Sequence, residues 1–312
     1  MEPLVILHHI PKTGGVAMSQ VARANYRPDE FLSLEREVAG IQAARRNPED
    51  ALRKTLDFYG SLPLERRARL RCLAGYTAPL VIPSVTDRPV HAFCMLRDPV
   101  EYVISYYLFQ TWRAERAGDR TPLIEALGAR RWGLKDVYRE LGGGGNPSSH
   151  LELVFSPLFN GQARHLLLGQ LGWSEIPFRA DREGIDEYRD RAFALLEKTY
   201  VVGAQDRFSE SIRLFADSFG WRRVFVPRAN AGRLRGGRRE ADIDEETRAL
   251  IRSHNRVDAD LHAYYSQQLD GRPRVGRLED VQGRAWRGAR RARARLGRVR
   301  QRTARRIRAV RT

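Results

Sequence analysis

From Leu4 to Ile10 the chain is apolar except for His8 and His9, and it contains β-branched members. That run predicts a buried strand. Pro11 and the pair Gly14–Gly15 interrupt it, and Val16 to Asn25 follows with helical spacing. Further strands are predicted at Glu30–Leu34, Cys72–Tyr76, His91–Leu96 and Tyr200–Gly203. Helical spacing recurs from Glu37 to about Tyr59, and at Leu64–Leu70, Val100–Trp112, Gly161–Gly169, Asp186–Glu197 and Ser209–Phe219. One long final helix is predicted from Asp244 to Leu269, and Leu141–Ser149 (LGGGGNPSS) reads as a flexible loop. Strands alternating with helices predict an α/β fold with a mainly parallel central sheet flanked by helices.

Composition narrows the class without changing that picture. The 312 residues are 42% hydrophobic, enough to bury a sizeable core. Two cysteines, Cys72 and Cys94, can form neither a disulfide framework nor, by themselves, a tetrahedral metal site. No metal-ligand spacing stands out. The N-terminal segment lacks a basic leader, and no run of 18 apolar residues marks a membrane span. The expected compartment is therefore a reducing cytoplasm.

The net charge of +17 points to nucleic acid until it is located. Residues 272–312 hold 16 arginines against two acids, Glu279 and Asp280, a net of +14 that leaves +3 for residues 1–271. The basic character belongs to a tail, so no specific nucleic-acid partner is expected. Two units follow: a domain at 1–271 and an Arg-rich tail at 272–312. In the tail, Val281, Ala285, Ala289, Ala292, Leu296, Val299, Thr303, Ile307 and Val310 recur at steps of three or four, with arginines on the other face. A basic amphipathic helix of that kind suits an anionic membrane surface, here the inner face, or a polyanion. A disordered extension is the alternative. Only four of the 55 basic residues are lysines (Lys12, Lys54, Lys135 and Lys198), which makes a lysine in a special place informative.

Lys12 is in such a place. HHIPKTGGVA sets a lysine and two glycines between a strand and a helix, where glycines admit close backbone approach and the helix start offers unpaired N–H groups. That is an anion cradle, although not with Walker A spacing. A second strand-to-helix junction, LRDPVEYVISYY, places Arg97 at the strand end and Ser105 in the following helix, where both can face one anionic group. Asp98 and Pro99 shape the turn.

These two segments resemble the 5′-phosphosulfate loop and the 3′-phosphate motif of sulfotransferases. The resemblance is to the carbohydrate type, related to heparan sulfate and uronyl 2-O-sulfotransferases and their bacterial relatives. FNGQARHLL (Phe159–Leu167), YVVGAQDRFSESIRLF (Tyr200–Phe215), RANAGR (Arg228–Arg233) and HNRVDADLHAYY (His254–Tyr265) follow in the family's order. The resemblance implies a P-loop-like sheet and 3′-phosphoadenosine 5′-phosphosulfate (PAPS) as donor, with no metal. It places the 5′-phosphosulfate on the backbone of Thr13, Gly14, Gly15 and Val16, with Lys12 at the leaving oxygen and Arg97 and Ser105 at the 3′-phosphate. It implies sulfuryl transfer to a hydroxyl of a carbohydrate or glycolipid. Alternatives are a nucleotide-binding protein of the same fold with little turnover, or a kinase of related fold.

The chain departs from the family pattern at three places. Val16 and Ala17 stand where the family has Thr-Ser, and Tyr102 replaces an arginine. Tyr76 occupies the place of the histidine base, and a tyrosine hydroxyl is a poor base at neutral pH. His9, His8 and Glu35 are the other candidate bases. Each has a structural alternative, since one of the two histidines is expected to face the sheet and Glu35 suits a helix start.

Overall fold

A computed structural model describes residues 2–37, 48–117, 122–142, 154–167, 184–227, 243–276, 279–281 and 285. The RANAGR loop, most of the Gly-rich loop and the tail stripe apart from Val281 and Ala285 lie outside the described residues.

The buried run Leu4–His8 forms β1, and Gly15–Asn25 forms α1. Phe31–Ser33 (β2) leads into the short α2 (Leu34–Glu37), followed by α3 (Pro48–Ser61) and α4 (Leu64–Arg69). Cys72–Gly75 is β3, and a 3-10 turn at Ala78–Ser84 precedes β4 (Val90–Leu96). Helices α5 (Pro99–Ala117), α6 (Pro122–Arg130), α7 (Leu134–Gly142), α8 (Gly161–Leu167) and α9 (Ile185–Thr199) come before β5 (Tyr200–Ala204). Then come α10 (Phe208–Phe219), α11 (Glu245–His254) and α12 (Arg256–Gln267).

The sheet is all-parallel in the order β2-β3-β1-β4-β5, with Leu7 registered against Ala74 on one side and Phe93 on the other. Side chains alternate between its two faces, and both faces are covered. Val5, Leu7, Phe93 and Met95 pack with Met18 and Val21 of α1 and Ile212 and Phe215 of α10. Cys94, Leu96 and Val202 pack with Val103 and Tyr107 of α5, Leu166 of α8 and Leu261 of α12. Two-sided burial is why β1 and β4 read as continuous apolar runs.

The predicted final helix is two helices. Asn255 sits between α11 and α12 with non-helical backbone, and its side chain is fully used. Its Nδ2 donates to the carbonyls of Ile251 (2.8 Å) and Leu158 (3.2 Å), while its Oδ1 accepts from the Asn160 N–H at 2.6 Å. The start of the predicted tail docks on α10: Arg274 meets Glu210 at 2.9 Å, and the Val275 N–H donates to Ser209 Oγ at 2.9 Å. Packing therefore continues across residue 271.

In a parallel sheet of this kind the carboxyl ends of the strands open into a crevice where neighbouring connections diverge. β1 lies between β3 and β4, so the segments after these three strands share that edge.

Candidate functional site

Lys12 and Gly14 give the loop after β1 its shape, both with positive φ, at 66° and 96°. Glycine tolerates that region; lysine does so at a cost of about 1–2 kcal/mol, which the surroundings must offset. The Thr13 hydroxyl helps by donating back to the Ile10 carbonyl at 2.9 Å. Gly14 caps α1 without a side chain, and the first turn of α1 carries no acid. The N–H groups of Gly15 and Val16 thus begin a helix with no intrahelical acceptor.

The two glycines serve different ends. Gly14 is needed for its backbone angle, and a Cβ there would lie 3.1 Å from the Phe208 ring. Gly15 is needed because the His9 ring fills the place of its side chain, with His9 Cδ2 only 1.8 Å from where a Cβ would stand. Gly15→Ala is expected to push the His9 ring out and to cost about 1–3 kcal/mol by overpacking. Thermal or urea unfolding checks this, and unchanged stability would contradict the interlock.

On the β4 side, Arg97 is built into the loop: its Nη1 donates to the Lys12 carbonyl at 3.1 Å, and its Nη2 meets Glu101 at 3.5 Å. Gln162 grips the Arg97 backbone from both sides, accepting from its N–H and donating to its carbonyl, each at 2.8 Å. Asp258 in turn accepts from the N–H groups of Gln162 (3.0 Å) and Ala163 (2.8 Å). Burial pushes the Asp258 carboxyl up to about 6, against the pull of those donors. Asn160, Gln162 and Arg164 are all buried, so none of them lines an open cleft. Of the three, Gln162 holds the Arg97 backbone.

Asp98 caps α5 by accepting from the Glu101 N–H at 3.0 Å. Glu101, Ser105 and Phe109 then follow at steps of four, on one face of α5. Glu101 also pairs with Arg248 of α11 at 3.2 Å, bringing a second guanidinium beside Arg97. The Lys12 ammonium lies over the Phe109 ring, 4.3 Å from its centroid. Burial, and secondarily the Arg97 charge, pull the Lys12 pKa down to about 8.

On the β3 side the remaining candidates converge. His9 Nδ1 lies 2.5 Å from Glu35 Oε1, and Tyr76 stacks on the His9 ring with centroids 4.4 Å apart. The His9 side chain is 5% exposed and that of Glu35 26%, so Glu35 carries the open face of the pair. His8 is the histidine in the core: it meets the Tyr200 hydroxyl at 3.2 Å, and burial pushes its pKa down to about 3.

The structure places Tyr102 and Val16 differently. Tyr102 is wholly buried and fills the space beside Gly161, where a Cβ would lie 2.8 Å from its hydroxyl. Val16 is exposed at the start of α1. Asp206 and Arg207 are structural, meeting His262 at 2.9 Å and Asp270 at 2.7 Å. Sequence reasoning missed Phe109, Gln162's grip on Arg97, and Arg248. The step of four from Ser105 was the available signal for Phe109.

Among the described residues no helix is long and apolar enough to cross a membrane, and no group of His, Cys, Asp and Glu could hold a metal ion. No family model matches the chain, and no curated protein matches it.

Proposed function

We propose that the chain is a PAPS-dependent sulfotransferase acting on a hydroxyl of a carbohydrate or glycolipid, on a P-loop-like variant of this parallel sheet. One observation carries the reading. A half-buried lysine and an arginine tied to its carbonyl lie on one side of a glycine-shaped helix start, and a His–Glu pair lies on the other. The loop suits a phosphosulfate group: the start of α1 is capped by Gly14 without a side chain, and its first turn is free of acids.

The donor, when bound, supplies a sulfuryl group on a phosphate leaving group. Thr13, Gly14, Gly15 and Val16 hold the phosphosulfate through backbone N–H groups. Lys12 stabilises the charge that develops on the leaving oxygen. Arg97 and Ser105 take the 3′-phosphate, with Arg248 close enough to add charge. Glu35, on the open side, accepts the proton of the attacking hydroxyl. His9 donates Nδ1–H to Glu35 and holds it in place, and Tyr76 backs the imidazole. Tyr76 thus supports the base rather than replacing the family's histidine.

The test is a donor titration with adenosine 3′,5′-bisphosphate, adenosine 5′-phosphate, and ATP with magnesium. The bisphosphate should bind at least tenfold more tightly than the monophosphate. Arg97→Ala and Ser105→Ala should erase most of that gap, and Arg248→Ala part of it. Equal affinity for both adenosine phosphates would end the 3′-phosphate assignment, and preference for ATP with magnesium would favour a kinase. Binding without turnover on a carbohydrate and glycolipid acceptor panel would favour a nucleotide-binding protein. Association of the tail with an anionic membrane surface or polyanion belongs to this reading as a proposal of its own.

A further inference from the structure

We propose that the Phe109 ring is a positioning element for Lys12, holding its ammonium by a cation–π contact at the mouth of the loop. Three features of the site converge on this. Lys12 stands in left-handed backbone, so its side chain leaves the loop in a direction that an ordinary turn would not give. Its carbonyl is held by Arg97, which fixes the base of that side chain. Its Nζ then ends over the face of Phe109, 4.3 Å from the centroid, within the range where a ring quadrupole attracts a cation.

The ring is itself held. Phe109 stacks on Trp112 with centroids 6.1 Å apart, and Arg113 lies 5.7 Å from its centroid. The charged neighbours do not favour a second cation here. Arg97 opposes the Lys12 charge directly, Arg113 shares the ring, and Arg248 lies beyond Glu101. Glu101 is the nearby acid on the same helix face, already bridging Arg97 and Arg248. Burial acts in the same unfavourable sense. An ammonium in such surroundings needs an attraction that does not require water, and an aromatic face supplies one.

As a catalytic positioning role this rests on the sulfotransferase reading, but the contact can be tested without it. The chain has four lysines, so reductive methylation with ¹³C-formaldehyde gives a spectrum simple enough to follow each dimethylamine through a pH titration. The resonance missing from Lys12→Arg identifies Lys12. Phe109→Leu keeps the site apolar and removes the quadrupole. The Lys12 midpoint should then fall by about half to one and a half pH units, the range expected for a desolvated cation–π contact. Phe109→Trp should restore or raise it. A Leu variant whose midpoint is unchanged or higher would overturn the proposal, because the ring would then only fill space.

In turnover, the alkaline limb of kcat should move down with Phe109→Leu while donor KM changes less. If Lys12 titrates as expected but no donor binds, the contact stands and the functional reading fails. If donor binds and turns over with an unmoved midpoint, the reading stands and the contact fails.

Discussion

Lys12→Met should yield a protein that is more stable than the wild type at neutral pH and transfers sulfate about 10²–10³-fold more slowly. The rate loss is that of removing one preorganised charge from the developing negative charge of a leaving group. The gain in stability follows from the lysine's depressed pKa, about 8 against an ordinary value near 10.5. The native state disfavours the protonated form, so folding carries a cost that is fully present below pH 8. Between about 8 and 10.5 the unfolded chain binds more protons than the native one, and stability rises with pH. Methionine keeps the stem and removes the charge, for an expected gain on the order of 1–3 kcal/mol at pH 7. Urea unfolding at pH 7 and at pH 10.5 measures both halves: the advantage of the variant should shrink at the higher pH. A variant less stable than wild type at pH 7, or one with undiminished turnover, contradicts this account of Lys12.

Glu35→Gln should be nearly as damaging to turnover while leaving donor binding alone. A positioned general base contributes about 10²–10⁴ in rate, and glutamine retains the size and a hydrogen bond to His9 without the basicity. Donor affinity should change less than twofold, because Glu35 pairs with His9, whereas Arg97 is tied to Lys12 on the β4 side. His9→Asn should be intermediate, since it loosens the base without removing it. Steady-state kinetics with separate donor and acceptor titrations distinguish these roles. If Glu35→Gln stays active and the His9 variant is dead, the imidazole is the base and the carboxylate its orienting partner.

Most of the sheet could be read in the chain because two-sided burial leaves an unmistakable apolar run. β1 and β4 were found within two residues of their ends. The loop and Arg97 were legible for a similar reason, since glycine, lysine and arginine at strand ends have few other uses there. The link between His9 and Glu35 was not legible. It depends on β3 lying between β1 and β2, and strand order leaves no mark on local periodicity. Each residue therefore looked like a separate candidate. Gly15 shows a related limit: its sequence context suggested room for a ligand, whereas the space is taken by the His9 ring. The break at Asn255 was hidden because asparagine is tolerated in helices, and only its distant partners Leu158 and Asn160 reveal why the chain turns.

The placement of the His9 ring in the side-chain space of Gly15 also bears on how such a site can change over time. Under the proposed function the donor cradle and the proton acceptor would share this wall, because the ring that fills the Gly15 space is the one that meets Glu35. A new acceptor preference can arise in the outlying loops, where substitutions leave this wall untouched. A change at residue 9 or 15, by contrast, disturbs the loop after β1 and the His9–Glu35 pair together.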